Sequence, residues 1–518
     1  MPRHRRLTIV TALALVAGTT TPALATEAHQ QPAAPPPSTT PAAPAKIPAP
    51  NWHKCTGDLE GHECADLQVP LDHSKPDGEK ITIALSRAAH TGPERRGVIL
   101  VNPGGPGLDG RSRVGMARNV AKDIADSYDF VGFAPRGATG SRPELKCEPK
   151  SARPPRTTPR NQSDIDAWLA HSRDTAESCS SGDGAKLLPF SRTTDIADDM
   201  DWIRAALDVE KITYFGVSWG TYLGQTFATR HQNRVERMVW DGAVEPNGQW
   251  AANILGQNAS FQKAADAFFT WIATRDEEFK LGKTHGEVKA KYETGLKKLE
   301  DNPIDTPRGK VTSHQLSSTA LSATYGVHDW KPKAKALSDF LVHGKTDDLG
   351  VAHPPDNGMA VYWATECSES PRPTPHSWVA SAKKSHDEGS TFESWGNAWT
   401  HAPCTFWKVK RDSTPKIDGS QVKVPILIVH DTEDAATPYP GALKARATFP
   451  SSRLVAQQGG RNHGTAYIGN QCTQQAVDDF FRDGKLPARA DGDKADKTCG
   501  AFTVDDFLKQ HGEREQRR

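Results

Sequence analysis

Beyond its first 25 residues the chain has no apolar run long enough to cross a bilayer, which takes about 20 consecutive residues. It has no internal repeat and no heptad pattern, which excludes solenoids and coiled coils. No CxxC pair or Cys/His cluster stands at zinc-ligand spacing, so no metal site is expected. It also lacks an excess of either charge. Sixty-four Lys and Arg face 63 Asp and Glu, a net charge of +1, which argues against nucleic acid or an anionic membrane as partner. Aromatic residues are only 7% of the chain, yet 13 of them are tryptophan, and several of these are expected to line an apolar pocket.

The N-terminus carries Arg3, Arg5 and Arg6, then an apolar run over residues 7–18, then Ala23-Leu24-Ala25. A basic start, a short apolar centre and an Ala-x-Ala exit predict a secretory signal peptide over residues 1–25, cut after Ala25. No cysteine follows that site, so no lipid anchor is expected. Loss of the three arginines takes the net charge to about −2. Residues 26–50 are rich in Pro and Ala, the composition of a stiff linker or a propeptide. The remainder is long enough for one large domain with an insertion, or for two domains. Eight cysteines behind a secretion signal point to disulfides. Spacing does not fix their connectivity. Proximity suggests Cys55 with Cys64, Cys147 with Cys179, Cys367 with Cys404, and Cys472 with Cys499, each closing a loop worth about 2–4 kcal/mol.

The most informative stretch is Ile212-Thr213-Tyr214-Phe215-Gly216-Val217-Ser218-Trp219-Gly220-Thr221. A β-rich segment ends in Gly-x-Ser-x-Gly and a helix-compatible run follows. That context predicts a sharp strand-to-helix turn that holds the Ser218 hydroxyl above a sheet. A side chain at 216 or 220 would close the turn, and the helix beginning after Ser218 aims its amides at any oxyanion formed there.

A serine hydroxyl is a weak nucleophile. It needs a base, and the base needs a carboxylate to orient it. In the scaffold that carries this turn, the acid and then the histidine follow the serine in the chain. Val424-Pro425-Ile426-Leu427-Ile428-Val429 reads as a buried parallel strand that leads into His430-Asp431-Thr432-Glu433-Asp434. Of the three acids Asp434 is favoured, because Thr437-Pro438 opens the next helix and fixes an acid at the loop tip. Asp431 and Glu433 read as solvated loop charges. A further strand, Arg453-Leu454-Val455-Ala456, leads into a small-residue turn that holds His463 beside Gly464, where the base is expected. Upstream, Val98-Ile99-Leu100-Val101 runs into Asn102-Pro103-Gly104-Gly105-Pro106-Gly107. This places the oxyanion donors at the backbone amides of Trp219 and of Gly105 or Gly104.

These residues together resemble the secreted bacterial tripeptidyl aminopeptidases, relatives of the proline iminopeptidases within the α/β-hydrolases. The likeness runs through nearly the whole mature chain. It includes Cys64-Ala65, Val69-Pro70-Leu71-Asp72, the Asn102–Gly107 loop, the Ser218 turn and Asp241-Gly242-Ala243-Val244-Glu245-Pro246. Cys367 with Glu369, Asp434-Ala435-Ala436-Thr437-Pro438, His463-Gly464 and the Cys472 to Cys499 tail complete it. The resemblance implies a triad of Ser218, Asp434 and His463, no cofactor, and removal of short peptides, tripeptides above all, from free N-termini. One segment departs. In Val131-Gly132-Phe133-Ala134-Pro135-Arg136-Gly137 the family's usual aspartate is replaced by Ala134, which puts loop geometry or substrate preference in question but not the triad.

The fold class expected is α/β: a mostly parallel sheet with helices on both faces and an inserted helical cap. Residues 51–247 and 404–518 would form the core and residues 248–403 the cap. Within the latter, Phe261, Ala264, Ala265, Phe268, Trp271 and Ile272 recur at helical spacing, and residues 287–299 read as a charged helix with a solvated face. An exopeptidase must hold a free α-ammonium, and a partly desolvated carboxylate is its natural partner. Glu369 and Glu366, beside Cys367, are the candidates. A secreted serine exopeptidase acting on peptides with free N-termini is the leading expectation. A secreted carboxylesterase or lipase with the same triad is the alternative, and a non-catalytic binding protein on the same fold is a third.

Overall fold

The structure is a computed structural model that describes residues 47–154, 156–248, 250–350, 357–369, 371–409 and 414–515. The signal-like segment and most of the Pro/Ala-rich linker lie outside the described residues.

The strands, in chain order, are β1 (His53–Lys54), β2 (Glu63–Pro70), β3 (Lys80–Ala88), β4 (Gly97–Asn102), β5 (Tyr128–Phe133), β6 (Ile212–Val217), β7 (Val235–Asp241), β8 (Ile304–Thr306), β9 (Gly309–Val311), β10 (Ile426–Asp431), β11 (Ser452–Gln457) and β12 (Lys497–Cys499). Ten form one sheet in the order β1-β2-β3-β5-β4-β6-β7-β10-β11-β12, and β8 and β9 make a separate hairpin. The pairs β1/β2, β2/β3 and β3/β5 are antiparallel. Every pair from β5 to β12 is parallel.

The central strands are continuous apolar runs because both faces of the sheet are covered. Alternation still decides which side each residue serves. Ile99 and Val101 face one cluster with Phe215, Val239 and Phe480. Val98 and Leu100 face another with Tyr214, Met238 and Trp240. The β10 ladder begins at Ile426, two residues later than the apolar run suggested. Pro425 has no N–H to donate, although its carbonyl still accepts the Met238 N–H at 3.0 Å.

Between β7 and β10 the described residues are mostly helical. The six-residue stripe lies on the helix Trp250–Ala273, and all six residues are buried. The charged helix runs from His285–Asp301 and buries only Val288, Tyr292, Gly295 and Leu299. These helices share a core in which Phe268, Trp271, Tyr292, Leu316 and Leu337 meet, joined by Val504 from the chain's last helix. The helix Asn357–Glu369 packs differently. Its Ala360, Val361, Ala364 and Cys367 belong to the cluster beneath the main sheet.

Four disulfides join Cys55 to Cys64, Cys147 to Cys179, Cys367 to Cys404 and Cys472 to Cys499. The tryptophans serve mainly as core. Trp168, Trp378, Trp395 and Trp399 share one cluster, with Trp168 and Trp399 stacked at 5.2 Å.

The loop after β5 is anchored by Arg136, which is fully buried. Its Nε donates to Asp199 Oδ2 at 2.8 Å and its Nη2 to Oδ1 at 2.6 Å, while Nη1 serves the carbonyls of Leu71 and Phe190. Ala134 sits in the same corner, its methyl buried in the main cluster and its carbonyl accepting the Ser141 hydroxyl. Arg136→Leu would strand the Asp199 charge in the interior. The expected loss is about 3–5 kcal/mol of stability, read from the midpoint of denaturant unfolding.

Candidate active site

Ser218 stands between β6 and the helix Trp219–His231 with φ 58° and ψ −128°, a conformation that non-glycine residues rarely adopt. Such strain costs about 1–3 kcal/mol and persists only where neighbours impose it. They do so here. The Ser218 N–H donates to the Asp241 carbonyl at 2.9 Å, and the Thr221 N–H and hydroxyl both donate to the Ser218 carbonyl. The flanking glycines are a steric need. A Cβ on Gly216 would lie 2.4 Å from the Gly220 carbonyl oxygen, and one on Gly220 2.8 Å from Asn102 Oδ1. Gly104, after β4, presses on the turn from above, where a Cβ would come within 2.5 Å of the Val217 carbonyl oxygen and 2.9 Å of Ser218 Cβ. Gly104→Ala is therefore expected to displace the serine and lower kcat/KM by at least about 100-fold, measured on a chromogenic substrate.

Asp434 and His463 meet at the ends of β10 and β11. Nδ1 of His463 lies 3.0 Å from Asp434 Oδ2 and 3.1 Å from Oδ1. The carboxylate also accepts the backbone N–H groups of Ala436 and Thr437 and the Thr437 hydroxyl, which fixes its plane. Burial alone would raise the Asp434 pKa. The charge and hydrogen bond of His463 outweigh it and hold the carboxyl below its ordinary value. For His463 burial pushes the other way, but Asp434, with a smaller contribution from Asp241, holds the ring above its ordinary value. An acceptor at Nδ1 places the proton there and leaves Nε2 as the basic atom.

The segment around His463 is built on two further acids. Asp241, at the end of β7, accepts the N–H groups of Thr465 and Ala466, and burial pushes its pKa up to about 6. Asp431, expected as a solvated loop charge, is 1% exposed. Its Oδ2 accepts the Asn462 N–H at 2.8 Å, the Asn462 side-chain amide at 2.9 Å and the Gln457 amide at 2.9 Å, and Oδ1 accepts the Thr465 hydroxyl. Burial sets its pKa at about 7. The expectation failed because the donors come from the next strand and loop, which local composition does not show. Glu433 pairs with Lys263 and, more distantly, with Arg461. The helical segment grips the same loop: the Tyr325 carbonyl accepts the His463 N–H at 2.7 Å, and Asn462 Oδ1 accepts the Val327 N–H at 3.0 Å. Nothing in the local sequence marks Tyr325 for this role.

Ser218 and His463 line one cavity of about 690 Å³, roofed by the helical segment through Tyr325, Met359 and Tyr362. Trp219 is the one tryptophan among the described residues that lines it, so the expectation of several does not hold. Of the two glycines considered for the oxyanion donor, Gly105 lines the cavity, whereas the Gly104 N–H is already given to Asn102 Oδ1 at 2.9 Å. Of the two acids beside Cys367, Glu366 lines the cavity, with its carboxylate 3.1 Å from His401 Nδ1. Glu369 does not line it. Fully buried, it takes the hydroxyl of Thr193 at 3.0 Å and the N–H of that same residue, at the start of the helix Thr193–Ala206. That engagement satisfies an amide at the start of the helix.

A mostly parallel sheet whose strand β6 leads into this strained serine turn, with a histidine paired to a buried aspartate lining the same cavity, defines a serine hydrolase of the α/β-hydrolase fold. A family model described as "TAP-like protein" matches residues 390–510. Tripeptidyl aminopeptidase of Streptomyces lividans is 34% identical over 475 residues, covering 87% of this chain and 86% of its own length. Serine protease Hip1 of Mycobacterium tuberculosis is 29% identical over 465 residues, 82% of this chain and 86% of its own. Carboxylesterase B of the same species is 30% identical over 491 residues, 86% of this chain and 90% of its own. The chain belongs to the TAP-like family of α/β-hydrolases. It is a serine peptidase of that type.

Proposed function

We propose that the protein is a secreted exopeptidase that removes tripeptides from free N-termini through Ser218, His463 and Asp434. The observation that carries the reading is the strained Ser218 turn opening into the same cavity as the Asp434-bound His463. In this mechanism Nε2 of His463 takes the hydroxyl proton as Ser218 Oγ attacks the scissile carbonyl, and then delivers it to the departing amine. Asp434 keeps the Nδ1 proton in place and stabilises the imidazolium. The developing oxyanion is held by the N–H groups of Trp219, at the positive end of its helix, and of Gly105. Water then hydrolyses the acyl-enzyme by the same steps in reverse order.

Tripeptide release is supported by the 34% identity to the tripeptidyl aminopeptidase, and by a roofed cavity that suits short substrates. Residues 248–403 act in this reading as the cap that limits access. Four disulfides and the signal-like start support secretion, and culture medium is expected to contain a mature chain beginning at Thr26.

The test is an assay of chromogenic mono-, di- and tripeptide anilides, free and N-acetylated, alongside short-chain esters. Turnover greatest on the free tripeptide, and lost on acetylation, is the expected result. Ester turnover without peptide turnover would instead make the protein a carboxylesterase, the activity named for the 30% identical relative.

A further inference from the structure

Ser218, Asp434 and His463 are held by their own backbone amides in two different ways. The Ser218 N–H donates to the Asp241 carbonyl at 2.9 Å, and the Asp434 N–H to the Asp431 carbonyl at 3.2 Å, so both acceptors stand at the ends of sheet strands. The His463 N–H turns away from the sheet. It donates at 2.7 Å to the carbonyl of Tyr325, in the helical segment between β7 and β10. The residues around His463 stay with the sheet: Asp431 takes the Asn462 N–H, and Asp241 takes those of Thr465 and Ala466. The loop is thus anchored to the sheet on either side of the base, while the amide of the base itself is held by the helical segment.

Asn462 joins the two anchorages. It is 1% exposed, its Nδ2 donates to Asp431 Oδ2 at 2.9 Å, and its Oδ1 accepts the Val327 N–H at 3.0 Å. A buried side-chain amide is costly to place unless both of its ends are paired, and here the two ends are paired to two different parts of the protein. The strip at residues 325–327 is itself fixed. The Tyr325 N–H donates to the Ser322 carbonyl at 3.1 Å, and its ring lies 5.6 Å from that of Phe261 and 5.6 Å, edge-on, from that of His463. Val327 is buried in the helical core beside Trp330, whose Nε1 donates to the Ala323 carbonyl at 2.9 Å. Movement of this strip would therefore carry the His463 amide and Asn462 with it.

We propose that Asn462 is a positioning residue, and that with residues 325–327 it clamps His463 in its working position, so that the base is aligned only when the helical segment is seated. The inference rests on the Ser218–His463–Asp434 reading above and goes beyond it, since the helical segment then aligns the base as well as roofing the cavity. A displacement of about 1 Å in a reacting group can cost about 100-fold in rate, which sets the size of the expected effect.

The test measures kcat and KM on Ala-Ala-Ala p-nitroanilide, and kcat/KM on p-nitrophenyl acetate, an ester too small to rely on the helical segment for binding. The variants of the full-length protein are Asn462→Ala, Val327→Pro and, to control for lost packing, Val327→Ala. Val327→Pro deletes the donor that Asn462 accepts and preserves the course of the chain. Val327 opens the turn Val327–Asp329, a position that suits proline, and Gly326 before it has a ψ of 150°, which a following proline tolerates. Rates are taken per site counted by complete fluorophosphonate labelling, with melting temperature followed alongside. Asn462→Ala and Val327→Pro are each expected to lose about 100-fold on both substrates, through kcat, with KM for the anilide little changed. Val327→Ala should lose far less. The double variant Asn462→Ala/Val327→Pro should lose no more than Asn462→Ala, because both changes remove the same bond. Turnover that survives Ser218→Ala would remove the triad and the clamp with it. Turnover that needs Ser218 but is unchanged per site in Asn462→Ala and Val327→Pro would overturn the clamp alone. A loss confined to the anilide, with the acetate ester cleaved as in the wild type, would also overturn it, because the two residues would then act on peptide binding. The acetate arm requires no peptidase activity, so failure of the exopeptidase reading leaves this test intact.

Discussion

Ser218→Ala is expected to lower kcat by about 10⁶-fold, the scale reached when a serine nucleophile is removed from an assembled triad. The fold should survive. Alanine fills the same turn, whose conformation is imposed by the Asp241 carbonyl, Thr221 and the surrounding glycines and not by the Ser218 hydroxyl. The residual rate reports what the oxyanion donors and substrate binding contribute alone. Chromogenic peptide turnover, with unfolding followed in parallel, separates loss of chemistry from loss of structure.

Asp434→Asn is expected to cost about 10⁴-fold in kcat, because an amide offers Nδ1 of His463 a donor as readily as an acceptor and so lets the ring take the wrong tautomer. The variant carries a second signature. Catalysis needs neutral His463, so wild-type kcat/KM falls as pH drops through the histidine pKa, which Asp434 holds above its ordinary value. Removing that carboxylate takes away the largest influence that raises it, while burial, which lowers it, stays. The acid limb of the profile should therefore move to lower pH in Asp434→Asn. A limb that stays in place would mean that His463 is not the group being titrated.

The parts of this site that could be read from the chain are those defined by short-range geometry. The Ser218 turn needs two glycines at fixed offsets, and a strand–glycine–serine–helix order reveals it. Asp434 and His463 follow from the same logic, each in a loop after an apolar strand. The misjudged acids share a different feature, since their roles depend on partners far along the chain. Glu369 neighbours Cys367 in sequence, but its carboxylate serves Thr193, and Asp431 is buried by donors from Gln457, Asn462 and Thr465. Burial is a property of the folded whole, and composition around an acid does not report it.

Labelling with a fluorophosphonate, followed by peptide mapping, tests the central claim most directly. The account predicts a single adduct on the peptide that contains Ser218, and none in Ser218→Ala. An adduct on another serine, or peptide turnover in Ser218→Ala equal to that of the wild type, would contradict it.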